Sequence, residues 1–244
     1  AVAHGRMGWR SGRMVAGLGK RLLRLLRDTE TSSTVGPPAL AAVAGMHVKL
    51  GIPWRGKYEQ EHLDLWKAIA AALPSRMARA TSQDFKVLLN SYANMDFAFS
   101  PIHGNVSHMF EACASHLAAR VQLEAFSPKE LALVANAYAR VRAGPYVLPL
   151  LNAIATSAVP QMEQCNQQDI ANLLNAYAKL LASNEPLFEA SALHVVKNVA
   201  SYSPQGLSNV AHAFAKVQMS HAAMFERVAE MSVRLMDRFE TMGL

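Results

Sequence analysis

A repeated 15-residue pattern constrains the fold of this chain more than any other sequence feature. It reads TSQDFKVLLNSYANM from Thr81, SPKELALVANAYARV from Ser127, NQQDIANLLNAYAKL from Asn166 and SPQGLSNVAHAFAKV from Ser203. A degenerate copy, GPPALAAVAGMHVKL, begins at Gly36. Because successive copies start 37 to 46 residues apart, each has room for one supersecondary unit. Residues 36–244 are therefore expected to form an array of repeats.

Each copy carries the signals of an α-helix, which we call helix A. In the third copy the cap residue Ser127 precedes a proline, and Glu130 follows three residues after the cap. Apolar residues then recur with the helical period, from Leu131 to Tyr138. We interpret the aromatic residue in this stripe as a packing residue in each copy, namely Tyr92, Tyr138, Tyr177 and Phe214.

A second helix, helix B, is predicted after each helix A. Short breakers end the first helix, and apolar segments follow at residues 58–73, 103–123, 146–158, 186–200 and 221–239. One helical hairpin cannot bury both apolar faces, so neighbouring hairpins must stack. The sequence predicts an all-α fold, an α-solenoid of about five hairpins, preceded by a basic N-terminal arm.

The arm, residues 1–35, supplies +5 of the net charge of +6. Five glycines before Lys20 argue against an isolated helix there, whereas residues 20–27 predict a basic amphipathic helix. The composition is typical of a mitochondrial targeting segment. We expect a partner to hold the arm: nucleic acid, or alternatively a protein groove. The predicted RNA-binding residues of the arm are Arg6, Arg10, Arg13, Lys20, Arg21, Arg24 and Arg27.

The Asn-Ala-Tyr-Ala core of the pattern, repeated in register, resembles the octotricopeptide and heptatricopeptide repeats of organellar RNA-binding proteins. The resemblance spans roughly residues 36–240, and no RAP domain follows it as in longer members of that group. It implies helical hairpins that bind mitochondrial or plastid RNA. It also implies a role in RNA processing, in translation control, or as an added subunit of a mitochondrial ribosome.

A polar column on helix A is the predicted RNA contact within the repeats. Asn136 and Arg140 fall opposite the core stripe and one turn apart, where an amide meets a base or sugar and a cation meets a phosphate. An alternative is that the cations complement helix dipoles and the amides satisfy backbone groups. The column comprises Lys49, Asn90, Asn136, Arg140, Asn175, Lys179, His212 and Lys216.

Catalytic and cofactor sites are not expected. The sequence has no HExxH or GxSxG motif, and the spacing of His103, His108, Cys113 and His116 matches no standard zinc site. No apolar run approaches the roughly 20 residues of a transmembrane helix. The loop at residues 52–58 interleaves aromatic and basic residues, which suits either an RNA clamp or a plug of the solenoid end.

The first functional hypothesis is a non-catalytic subunit of the mitochondrial ribosome, located in the matrix, that contacts ribosomal RNA through the arm and the polar column. Its expected partners are RNA and other ribosomal or organellar proteins, with no small-molecule substrate, metal or cofactor. Two alternatives stay open. One is a protein-interaction scaffold in another mitochondrial complex, and the other is a free RNA processing or translation factor.

Overall fold

The computed structural model describes residues 2–52, 59–95, 97, 102–119 and 126–235, and it describes side chains from Met14 onward. Within these ranges the chain forms helices and turns, without a strand. The predicted all-α helical-repeat fold is confirmed. The chain divides into two compact units, Ala1–His116 and Leu117–Leu244.

The first unit is built around α1 (Val2–Arg27), α2 (Pro37–Lys49), α3 (Glu59–Ala72), α4 (Ser82–Met95) and most of α5 (His103–Ala119). The A helices of the first two repeats, α2 and α4, pack side by side, and α3 and α5 are the B helices. α1 packs along α3 and also contacts α2, so it occupies the position of a B helix that precedes the first repeat.

The second unit contains three hairpins: α6 (Pro128–Arg140) with α7 (Leu148–Ala158), α8 (Gln167–Lys179) with α9 (Glu185–Asn198), and α10 (Pro204–Lys216) with α11 (Ala222–Arg234). The A helices α6, α8 and α10 pack as one layer, and the B helices α7, α9 and α11 form another. In all five repeats the A helix begins one residue after the start of the repeat in the sequence. The predicted ends of the second and fifth B helices lie outside the described residues.

Side-chain caps begin four of the A helices, α4, α6, α8 and α10, whereas α2 begins after Gly36, which supplies none. Ser127 and Glu130 form a reciprocal capping box on α6, and Asn166 and Asp169 do the same on α8. Such a cap satisfies backbone amides that have no partner within the helix, and its loss costs about 1 kcal/mol. The acidic residue at the fourth position of the pattern therefore accepts hydrogen bonds at the helix start in these repeats.

The A helices also end in a common turn. After α8, the Ala182 amide donates to the Tyr177 carbonyl oxygen at 2.9 Å, and the intervening Leu181 has a φ of +53°. The same Schellman turn follows α6 and α10, with Arg142 and Gln218 at positive φ. Only the first repeat places a glycine there, Gly51. A residue with a Cβ in this conformation costs roughly 1–2 kcal/mol.

The aromatic residues of the second to fifth A helices are buried packing residues, as predicted. Tyr92, Tyr138, Tyr177 and Phe214 are at most 1% exposed. The Tyr92 hydroxyl donates to the Trp66 carbonyl oxygen and the Tyr177 hydroxyl to the Leu151 carbonyl oxygen, both at 2.5 Å. Each bond ties an A helix to the preceding repeat's B helix. Phe214 has no hydroxyl and instead packs its ring 4.9 Å from that of Phe188.

The helix predicted to start at Lys20 instead begins at Val2, so the predicted start is wrong. Val15 and Leu22 are buried, and a Cβ on Gly19 would lie 2.9 Å from Leu65 Cδ2. Gly19 thus permits a close approach of α1 to α3. Packing of this kind offsets the cost of about 1 kcal/mol that each glycine imposes on a helix.

Ion pairs and a buried arginine fix α1 further. Lys20 pairs with Glu61 at 3.0 Å and Arg27 with Asp64 at 2.7 Å. The Arg76 guanidinium donates to backbone carbonyl oxygens of Ser32, Val35 and Ala72, which joins the α1–α2 linker to the end of α3. Contacts within the chain therefore fix residues 14–27, and the nucleic-acid or protein partner expected for the arm stays a prediction.

Replacing Leu181 by glycine should stabilise the protein by about 0.5–1 kcal/mol, because glycine adopts positive φ without steric cost. Leu181 is 67% exposed, so little buried surface is lost. Thermal unfolding of Leu181→Gly should show a rise in Tm of about 2 °C. Leu181→Ala retains the Cβ and serves as the control; a rise as large in that variant would contradict the strain argument.

Replacing Gly19 by leucine should detach α1, because the new side chain would collide with Leu65 and with the His47 ring. Gly17 has nothing within 4 Å of its Cβ position, so Gly17→Leu is the matched control. Hydrogen exchange of residues 14–27 should accelerate strongly in Gly19→Leu and remain slow in Gly17→Leu. Equal protection in both variants would show that α1 does not require this close approach.

Candidate nucleic-acid interface

The third, seventh, tenth and fourteenth positions of the pattern share one side of each A helix. In α8 the buried positions are Ile170, Leu173, Leu174 and Tyr177. With 3.6 residues per turn, the third, seventh, tenth and fourteenth positions point to the opposite side. We call this side the A face. In the second unit it consists of Lys129, Leu133, Asn136, Arg140, Gln168, Asn172, Asn175, Lys179, Gln205, Asn209, His212 and Lys216.

Two amides of the A face have unused hydrogen-bonding capacity. Asn136 and Asn175 are half-buried at the same position of adjacent helices, and neither side chain bonds to any described residue. The alternative in which these amides satisfy backbone groups therefore does not apply to them. It does apply in α4, where Asn94 Nδ2 donates to the Asn90 carbonyl oxygen at 2.8 Å. Asn136 and Asn175 thus remain available to a ligand.

The cations of the predicted column are exposed. Arg140, Lys179 and Lys216 are the last residues of α6, α8 and α10, and Lys49 ends α2. None of the four forms an ion pair or side-chain hydrogen bond with a described residue. The helix dipole stabilises cations at these C-terminal positions. The charges nevertheless remain in contact with solvent and can bind an anion.

Acidic residues are absent from the A face of the described repeats. On the A helices they occur only in the caps, as Asp84, Glu130 and Asp169, and both aspartates are buried. The exposed acids of the repeats lie on the B helices or in the turn after α7: Glu59, Glu61, Glu111, Glu163, Glu185, Glu189, Glu226 and Glu230. Exposed acids of the described repeats are therefore confined to the B helices and the turn after α7.

Sequence reasoning found the C-terminal half of the A face and missed the other half. Lys129, Gln168, Asn172, Gln205 and Asn209 occupy the third and seventh positions of the pattern. Their helical spacing could have revealed them, since these positions precede the asparagine of the column by seven and three residues and so lie on the same side of the helix. The Gln168 amide donates to Asn172 Oδ1 at 3.0 Å, so polar side chains continue along the whole length of α8.

The arm lies apart from the A face of its unit. α1 packs beside the B helix α3, whereas the A face is on the outer side of α2 and α4. Arg21 and Arg24 are exposed and make no ion pair with a described residue, while Lys20 and Arg27 are paired within the chain. The side chains of Arg6, Arg10 and Arg13 lie outside the described residues, as do residues 53–58 of the aromatic and basic loop.

The buried histidines and thiols lie away from the A face, and burial favours their uncharged forms. Burial lowers the pKa of His47, whose Nδ1 donates to the Val43 carbonyl oxygen at 2.9 Å, and burial likewise lowers the pKa of His194. Burial raises the pKa of the free thiols, for Cys165 to about 11. The described residues include no group of three or more metal-ligating side chains, and no described helix could cross a membrane.

The family model for RESC6, the RNA-editing substrate-binding complex 6 protein, matches residues 64–242. The match covers more than two thirds of the chain, from α3 to beyond the end of α11. No curated protein matches the chain significantly.

Acidification should destabilise the protein through His47 and His194. Because burial lowers their pKa in the folded state, the unfolded chain takes up protons first as the pH falls below about 6.5. Stability should be level between about pH 7 and 8, and below pH 7 it should fall by up to about 1.4 kcal/mol per pH unit for each histidine. Urea unfolding between pH 7.5 and 5.5 measures this slope.

The slope of stability against pH should decrease in His194→Gln. It should persist in His212→Gln, the control, which removes an exposed imidazole. An unchanged slope in His194→Gln would contradict the assignment.

Proposed function

The chain belongs to the RESC6 family of RNA-editing substrate-binding complex 6 proteins, and we propose that it is a non-catalytic, RNA-contacting subunit of such a complex. Its role is to position RNA and neutralise phosphate charge. The chain offers cations and amides for this, and the sequence supports no catalytic constellation. RNA and the other proteins of the complex are the proposed partners.

The acid-free A face is the observation that carries this proposal. A polyanion is attracted to exposed lysines and arginines that no neighbouring carboxylate neutralises, and it gains further from released counterions. Arg140, Lys179 and Lys216 meet this condition on three consecutive A helices. A protein-interaction scaffold would require no such exclusion of acids from the A face.

The arm is proposed as a second RNA contact. Arg21 and Arg24 form no ion pair with a described residue and carry the forked donors that suit phosphate. The arm's composition also motivates a mitochondrial location, which stays part of the proposal. Since the matched family is named for an editing complex, we prefer this assignment to the ribosomal subunit predicted from the sequence. The octotricopeptide-like resemblance stays a prediction.

Removing two A-face cations should weaken RNA binding. In Arg140→Gln/Lys179→Gln, two phosphate contacts are lost, so the affinity should fall about tenfold or more. The slope of log Kd against log salt should also fall by about 2. Fluorescence anisotropy with labelled RNA over a salt series measures both quantities on the full chain.

The matched control is Lys67→Gln/Arg234→Gln, which removes two exposed cations from B helices and so changes the net charge equally. Its affinity and salt slope should stay near those of the unmodified chain. An equal loss in both double variants would mean that binding depends on net charge alone, and no loss in the A-face variant would refute the proposal.

A further inference from the structure

The A face has almost no surface on which a base could stack. Among its described side chains the only ring is that of His212. The aromatic residues of the pattern are buried on the opposite side of the A helices, between repeats. Proteins that bind single strands obtain about 1–3 kcal/mol per base from aromatic stacking. With one imidazole ring and one guanidinium plane in the second unit, the A face compensates an RNA strand poorly for unstacking its bases.

The free amides suit a different part of RNA. Asn136 and Asn175 each offer a donor and an acceptor, and a ribose 2′-hydroxyl is likewise both donor and acceptor. The cations Arg140 and Lys179 lie one turn further along the same helices. The asparagines of the A face can therefore bind ribose hydroxyls, and the cations beside them can bind phosphates. A-form RNA displays these two groups side by side along its wide, shallow minor groove.

We propose that the A face of the second unit binds double-stranded, A-form RNA through its backbone. In this arrangement Asn136 and Asn175 contact 2′-hydroxyls, and Arg140, Lys179 and Lys216 contact phosphates. The bases of a duplex are already stacked on one another. A surface with almost no aromatic rings therefore loses no stacking energy when it binds the duplex through the backbone. The inference rests on the proposed function and specifies the form of RNA that the site accepts.

The test compares three probes with the full chain at one salt concentration. They are a 5′-labelled RNA duplex of about 20 base pairs, each of its single strands, and the DNA duplex of the same sequence. The RNA duplex should bind about tenfold more tightly than either single strand and than the DNA duplex, a difference of about 1.4 kcal/mol. Tighter or equal binding of the single strands, or equal binding of the two duplexes, would overturn the inference.

Variants of the two amides identify the residues responsible. Asn136→Ala/Asn175→Ala should reduce the preference for RNA over DNA duplex at least about threefold while leaving the salt slope unchanged, because no charge is removed. Asn105→Ala/Gln164→Ala removes two amides outside the A face and should preserve the preference. A preference unchanged in both variants would overturn the assignment of the amides.

The cation variant separates this inference from the proposed function. If Arg140→Gln/Lys179→Gln weakens binding of every probe but single strands bind best, the A face still contacts RNA and the duplex inference is wrong. If that variant binds all probes as the unmodified chain does, the proposed function itself is wrong.

Discussion

In the second, fourth and fifth repeats, one aromatic residue of the A helix packs against the preceding B helix, and the repeat array depends on this interaction. A lone hairpin would leave this ring and the stripe around it in water. In the second and fourth repeats the tyrosine hydroxyl also donates to a carbonyl oxygen of the preceding B helix. In the fifth, Phe214 retains the ring contact with Phe188. The stacking of these repeats thus depends on the apolar ring, and the hydroxyl adds a directional hydrogen bond to the preceding B helix.

Fixing the aromatic side of the helix inward also fixes what faces outward. Because 180° separates the two sides, the third, seventh, tenth and fourteenth positions of the pattern become solvent-facing in every copy. The A face is therefore a by-product of the packing, and its chemistry is free to vary without cost to the core. In α6, α8 and α10 that freedom is used for amides and cations.

Local signals in the sequence were enough to place the A and B helices, whereas α1 depended on tertiary contacts. Caps such as Ser127 and the apolar period act within one helix, so their effect is readable from neighbouring residues. The glycines of the arm lower local helix propensity, and the compensation comes from α2 and α3, which are distant in sequence. Gly19 illustrates this: it weakens the helix alone, yet a Cβ at this position would lie only 2.9 Å from Leu65 Cδ2. The free amides of Asn136 and Asn175 likewise required the positions of neighbouring groups to be known.

Capping explains how a chain with acids in its A helices still presents an acid-free face. Asp169 accepts a bond from the Asn166 amide, and Asp84 accepts bonds from the Thr81 amide and hydroxyl. These carboxylates are buried at helix starts, where the dipole and the cap bonds stabilise their charge. They lie at the opposite helix end from Lys179 and its equivalents, a separation of about 15 Å over ten residues. At that distance the Coulomb energy of two unit charges is about 1 kcal/mol at an effective dielectric constant of 20, against about 4 kcal/mol for a pair 4 Å apart. The capping acids therefore reduce the attraction of the cations for phosphate far less than a directly paired carboxylate would.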